Sequence, residues 1–214
     1  MNIQTTEISL AMVAYRSQAD YAIPFAHSVL MYGKDTQVIM IDSASPDPYP
    51  ESDKWEVVRV DYPPGELYNY SRCLNIAARH MDGEWLMFCN DDLLCTGPFT
   101  AEIRRLDKKC LYGAETGVKK RTTYGTTINY AAGWCLVMHR SLYGRVGPFD
   151  EAFGASTLED VDYSWRADKL GYKIKRAYIP FIHLESMRRV GVDGWHSRGM
   201  DTRKYFIKKV KRGK

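Results

Sequence analysis

Apolar and polar positions fall along this chain in blocks of two kinds, unbroken apolar runs and helically spaced stripes. Residues 8–15 (Ile-Ser-Leu-Ala-Met-Val-Ala-Tyr) are apolar at all but one site, which predicts a strand buried on both faces. Ser17 and Asp20 are placed to cap a helix running to about Tyr32. Residues 38–41 predict a second strand that ends on Asp42, and the turn-forming residues 43–48 predict a loop. Residues 55–60 alternate weakly and predict a short third strand, broken by Pro63-Pro64-Gly65. Leu74, Ala77, Ala78 and Met81 recur at helical spacing within residues 68–80, and Gly83 stops that helix. Trp85-Leu86-Met87-Phe88-Cys89 is then an apolar strand that flips within one residue to Asn90-Asp91-Asp92.

The second half has a different texture. Residues 98–106 predict a helix, and residues 109–129, rich in Gly, Thr and Tyr, predict short strands and loops. Residues 134–138 form another strand pattern, and residues 144–153, with two Gly and a Pro, read as a loop. A helix opens near Leu158 and ends at Gly171, followed by short strands over residues 172–177 and 179–183. Strands alternating with helices in the first half imply an α/β fold with a mainly parallel sheet and helices on its faces. No repeat or linker divides the 214 residues, so a single domain is expected.

Composition narrows the classes. Hydrophobic residues make up 45%, enough for a core and too many for a disordered chain. The net charge of +4 is modest, and its excess falls late, so residues 187–214 are expected to form a basic, mobile C-terminal segment, with the last ten residues a solvated helix. Only Tyr205-Phe206 interleaves that basic tail, which argues against a nucleic-acid partner. Five Cys without a CxxC pair imply reduced thiols and a cytoplasmic protein. No apolar run reaches the roughly 20 residues of a membrane span, leaving at most peripheral membrane contact.

Candidate chemistry sits at strand ends. A buried strand closing on Asp91-Asp92 puts negative charge in the crevice where open α/β sheets bind ligands, and Asp42 ends another. Were those two strands neighbours, both acids would face one crevice. Crowded carboxylates suit Mg²⁺ or Mn²⁺ between them; alone, the same residues also read as a surface turn with a helix-capping Asp. Asp160 falls in the first turn of a helix, where it reads either as a site acid beside Glu159 and Asp162 or as a cap.

Three blocks, in order, resemble the inverting family 2 glycosyltransferases of the GT-A fold. They are Val38 to Ser45; Asn75-Ile76-Ala77 followed by Gly83 to Asp92; and Gly133 to Gly171, which contains Gly147-Pro148-Phe149-Asp150-Glu151-Ala152-Phe153 and Glu159-Asp160-Val161-Asp162. The resemblance implies a Rossmann-like GT-A domain with a smaller antiparallel portion on the acceptor side. It implies transfer of a sugar from a nucleotide-sugar, UDP-linked, to a hydroxyl of a glycan or other acceptor. Asp160 is then the base, Asp92 and His183 hold Mn²⁺ or Mg²⁺, and Tyr15, Asp42, Arg72, Asn90 and Asp91 hold the nucleotide. Trp134 and Glu159 fall on the acceptor side, and Arg188, Arg189, His196 and Arg198 lie where a segment could close over the diphosphate. Asn90 stands where many members have Asp, as in the rhamnosyltransferase-like branch. Two rival readings are a nucleotidyltransferase, which would want a Gly-bearing loop where Tyr15-Arg16-Ser17-Gln18 stands, and a non-catalytic nucleotide-sugar binder of the same fold.

Overall fold

Successive side chains of a strand point to opposite faces, so an unbroken apolar run can serve two cores at once. Strand β1 (Ile8–Ala14) does this: Leu10, Met12 and Ala14 enter one hydrophobic cluster, Ala11 and Val13 the other. The structure, a computed structural model, describes residues 6–63, 66, 68–114, 118–123, 126–154, 158–184 and 195–213. After β1, one turn of π-helix (Gln18–Ala22) leads into α1 (Ile23–Tyr32). Next come β2 (Thr36–Asp42), β3 (Glu56–Arg59), α2 (Tyr70–His80), β4 (Trp85–Asn90), β5 (Leu93–Cys95) and α3 (Thr100–Arg104). The second half contains β6 (Cys110–Ala114), β7 (Val118–Thr123), β8 (Thr126–Ala131), β9 (Cys135–His139) and α4 (Arg140–Val146). It closes with α5 (Glu159–Lys169), β10 (Lys173–Ala177), β11 (Phe181–His183) and α6 (Trp195–Arg212).

Seven strands form the central sheet in the order β10-β6-β9-β4-β1-β2-β3, and β9 alone runs against the rest. The chain leaves β1 toward β2 and β3, then returns to place β4 on the other side of β1. The crossovers diverge there, which opens a crevice beyond the carboxyl ends of β1 and β4. Ala14 lies beside Asp42, and Val13 beside Asn90, so the loops after β1, β2 and β4 emerge level with one another. Asp42 and Asp92 are therefore not on neighbouring strands; β1 separates them. Two small antiparallel sheets, β5 with β11 and β7 with β8, complete the α/β architecture.

One cluster packs α1 and Phe99 on the sheet, and the other packs α2, α4 and α5. Burying each large side chain such as Phe25 or Phe88 contributes about 1.5–3 kcal/mol. Asn69 caps α2 by accepting from the Arg72 amide at 3.0 Å. That helix stops at His80, before Gly83. The glycine instead allows two backbones to approach closely, since a Cβ there would sit 2.7 Å from the Ser9 nitrogen. Asn75 clamps the next half of the chain, donating to the Phe149 carbonyl at 2.9 Å and accepting from the Phe149 amide at 2.8 Å.

Three expectations need correction. Ser17 caps no helix; α1 starts later and its hydroxyl is used elsewhere. The region read as a loop over residues 144–153 overlaps α4, which His139 caps and Gly147, at φ 85°, ends. Seven residues are too few to display a helical stripe. The last ten residues are not a solvated helix: Phe206 and Val210 of α6 are buried in a third cluster with Phe153, Val161 and Trp165. Lys209 bridges Asp150 and Asp162, each at 2.7 Å, and Tyr205 donates to Asp150 at 2.8 Å.

Candidate active site

The acids after β4 are held by partners from distant loops. Asp91 accepts from the Ser17 hydroxyl, which lies 2.8 Å from the Tyr49 hydroxyl, while the Ser17 amide donates to Tyr49 at 3.2 Å. An ionised carboxylate only accepts, so Ser17 gives its hydrogen to Asp91 and Tyr49 gives its own to Ser17. Burial first, with the charge of Asp91 adding, pushes the Tyr49 phenol up to about 12, so it remains a donor. This relay ties the loop after β1 to the loop after β2 and both to the end of β4. The Arg16 amide reinforces it by donating to the Ser45 hydroxyl at 3.2 Å.

Asp92 and His183 are 91 residues apart and meet because β5 pairs with β11, His183 lying opposite Leu93. His183 Nε2 is 3.1 Å from Asp92 Oδ1, and the Asp92 carboxylate is nearly sealed from solvent. Trp134 stacks on the His183 ring, centroids 5.3 Å apart and planes at 20°. Among the described residues no group of three or more His, Cys, Asp or Glu side chains converges as a metal site. Asp92 and His183 thus place one carboxylate beside one imidazole.

The α5 side is linked to this pair through the turn before β9. Asp160 Oδ2 accepts from the Gly133 amide at 2.9 Å, and Oδ1 accepts from the Val161 amide at 2.7 Å. The neighbouring residue in that turn, Trp134, gives its carbonyl to the Asn90 amide at 3.0 Å and its ring to His183. Contacts therefore run without a break from Asp160 through Gly133 and Trp134 to His183 and Asp92. Gly133 is required by crowding, since a Cβ would stand 3.3 Å from Asp160 Cβ and 3.4 Å from Glu159 Oε1. Leu158, immediately before the acids, sits at φ 111°, a conformation an L residue adopts only when its surroundings enforce it. Burial, then the charge of Asp160, hold the Glu159 carboxyl well above its usual range, and its Oε2 is buried with no hydrogen-bond partner among the described residues.

Asp162 does not join Glu159 and Asp160. It is fully buried on another face of α5, paired with Arg166 at 2.8 Å and Lys209 at 2.7 Å. Tyr70 opens α2 and donates to Asn90 Oδ1 at 3.0 Å. Its phenol is raised well above its usual value by burial and then by the charges of Glu159, Asp91 and Asp160, so those side chains share one neighbourhood.

Other sequence-derived candidates lie nearby with different partners. Asp42 is fully buried; one oxygen accepts from the Ser45 amide at 3.0 Å and the other meets Arg59 at 2.8 Å. Tyr15 ends β1 and lies under the Arg16 guanidinium, 5.0 Å from its ring centroid. Arg72 turns toward Glu66 at 3.1 Å, on the surface. Beside these loops lies a hollow of about 430 Å³, lined by Arg16, Ala19, Asp20, Ser45, Pro46 and Asp47. Arg16 and Ala44 at its rim both adopt φ 53°, the left-handed region. Arg188 and Arg189 lie outside the described residues, as do the side chains of His196 and Arg198.

Ser17, Tyr49, Tyr70 and Arg59 touch these acids or Asn90, and the sequence marks none of them as a site residue, Ser17 reading there only as a helix cap. Fifteen tyrosines give no signal by type alone. The one available clue was position, since Ser17 follows the first strand and Arg59 ends the third.

Residues 9–113 match the family model described as glycosyl transferase family 2. No curated protein matches the chain in sequence. Among solved structures, GalNAc-T7 with UDP, GalNAc and Mn²⁺ superposes with a TM-score of 0.69 at 12% identity, over 91% of this chain and 46% of that one. The Pyrobaculum calidifontis mannosyltransferase PcManGT, in complex with GDP-Man and Mn²⁺, gives 0.62 at 17%, over 90% and 60%. S. aureus TarS gives 0.58 at 15%, over 80% and 35%. The chain spans between about a third and three-fifths of these proteins' own lengths. With its parallel sheet and its acids at the switch point the chain has the GT-A fold, and its residues 9–113 carry the match to glycosyl transferase family 2.

Proposed function

We propose that this protein transfers a glycosyl group from a nucleoside-diphosphate sugar, UDP-linked by resemblance, to an acceptor hydroxyl with inversion at the anomeric carbon. The observation that supports the reading is the unbroken contact path from Asp160 to Asp92, which runs from a candidate base on one wall to a candidate cation ligand on the other. GalNAc-T7 is described with UDP and Mn²⁺, and the mannosyltransferase with GDP-Man and Mn²⁺, which favours a nucleotide-sugar and a divalent ion here.

Asp92 and His183, one carboxylate and one imidazole, would hold a divalent cation. The imidazole favours Mn²⁺ over Mg²⁺. Such an ion supplies Lewis-acid stabilisation to the departing diphosphate. Trp134 fixes the plane of the His183 ring by stacking, and Asp91 is oriented by Ser17 and Tyr49.

On the opposite side Asp160 accepts the proton of the acceptor hydroxyl as that oxygen bonds to the anomeric carbon and the bond to the diphosphate breaks. The Gly133 and Val161 amides set the direction of its carboxylate. Glu159 and Trp134 flank the acceptor. The hollow beside Arg16 and Ser45 takes the nucleoside, with Tyr15 at its rim. Asp42 acts there by holding Ser45 and Arg59 rather than by touching the base. Arg72 is held by an exposed ion pair with Glu66, worth about 0.2–1 kcal/mol, and lies over the Tyr62 ring at 5.9 Å, both contacts weak enough for it to turn toward a phosphate.

A thermal-shift series with UDP-, GDP- and dTDP-sugars, with and without Mn²⁺, tests the reading. One nucleotide class should raise the melting temperature, and more so with Mn²⁺. A melt that none of them moves would sink it.

A further inference from the structure

A carboxamide has one oxygen that accepts and one nitrogen that only donates. In Asn90 the oxygen is taken, since Tyr70 donates to Oδ1 at 3.0 Å. The backbone is fixed as well, the Asn90 amide donating to the Trp134 carbonyl at 3.0 Å. Tyr70 is anchored at the start of α2, its amide donating to the Gly154 carbonyl at 3.0 Å. Burial and the surrounding acids keep its phenol protonated, so it must give its hydrogen away. The reversed amide would leave that hydrogen without the Asn90 oxygen and turn the oxygen toward a neighbourhood of carboxylates. Asn90 Nδ2 has no protein partner among the described residues, and the residue is only partly buried. Whatever meets that nitrogen must be an acceptor.

We infer that Tyr70 is a positioning residue that turns the Asn90 amide nitrogen toward the diphosphate, so that Asn90 donates to a phosphate oxygen and gives no oxygen to a cation. The inference rests on the nucleotide-sugar reading above. It makes the Asn at this place a functional choice: among Asp91, Asp92 and Asp160, a donor offsets the repulsion an anionic phosphate meets. An aspartate at 90 would keep the Tyr70 hydrogen bond but turn an oxygen toward the phosphate.

A double-mutant cycle tests it. UDP and GDP are titrated calorimetrically, at saturating Mn²⁺, onto the parent, Tyr70→Phe, Asn90→Ala and the double variant. Tyr70→Phe and Asn90→Ala should each weaken nucleotide binding about three- to tenfold. The double variant should bind no more weakly than Asn90→Ala alone, because Tyr70 acts through Asn90. Effects that multiply would mark Tyr70 as merely structural and overturn the inference. A parent that binds neither nucleotide would remove the functional reading and this inference together, whereas a binding parent with a multiplicative cycle removes this inference alone. Should Tyr70→Phe lose its cooperative melt, Asn90→Asp decides instead. It should weaken nucleotide binding about tenfold or more, and an unchanged affinity would overturn the assignment.

Discussion

The two sides of the crevice treat their carboxylates in opposite ways. Beside β1, three acids have side-chain partners: Asp42 has Arg59, Asp91 has Ser17 and Asp92 has His183. On α5, the Glu159 Oε2 has none, and Asp160 is addressed by two backbone amides. The first arrangement offsets charge with side chains that come from several loops, so it organises those loops around a ligand. At Glu159 burial instead favours the protonated form, while its neighbour faces amide hydrogens. Two adjacent carboxyls in unlike surroundings are how one helix start can separate proton-holding from proton-taking roles. On the proposed function the difference means that the two walls divide the work, one holding an anion and a cation, the other moving a proton.

The division breaks most sharply at Asp160. Asp160→Asn keeps the shape and removes the base, so sugar transfer should fall about 10²- to 10⁴-fold while the UDP dissociation constant stays within about twofold. Product formation and calorimetry read the two separately. A variant that turns over like the parent would take Asp160 out of the chemistry, and one that loses UDP instead would merge the two walls. Next in size is Asp92→Ala. It should weaken nucleotide binding in Mn²⁺ about 10- to 100-fold and leave binding in a chelator unchanged. If parent and variant respond to Mn²⁺ alike, the cation belongs elsewhere.

What was legible in the sequence follows the same physics. β1, β2 and β4 stood out because strands buried on both faces leave unbroken apolar runs, and their Asp-rich ends stood out because polarity changes there within a residue. β5 is three residues long and sits among turn formers, so no periodicity could mark it. The Asp92–His183 pair spans 91 residues and depends on β5 meeting β11; it was suggested by family resemblance and not by spacing. Asp162 looked like a third site acid because sequence proximity ignores the helical rotation that turns it to Lys209 and Arg166. Ser17, Tyr49 and Tyr70 were invisible because their roles consist of partners contributed by other loops.

Arg59 sharpens the comparison on the stability axis. Asp42 is sealed from solvent, whereas the Arg59 side chain is 36% exposed. Breaking a buried pair from one side typically costs about 3–5 kcal/mol, but here water reaches the guanidinium and the Ser45 amide remains. Arg59→Met should therefore lower the urea midpoint only modestly and loosen the Ser45–Asp47 rim of the hollow, seen as weaker nucleotide binding. No change in either measurement would mean that Asp42 holds the loop without its cation.

The smallest effect should come from Glu159→Gln, and its sign separates the two walls. The folded-state carboxyl of Glu159 titrates above its unfolded value near 4.5, because burial and Asp160 disfavour its charge. The folded state thus binds the proton more tightly, and that contribution is complete below the unfolded value and lost as pH rises through the folded one. Glutamine is shaped like the protonated acid and cannot lose a proton. Parent and variant should melt together at acidic pH, and the variant should melt progressively higher as pH increases toward neutrality. If Glu159→Gln melts lower than the parent at neutral pH, the carboxyl is ionised and partnered after all, and the α5 wall is built like its opposite.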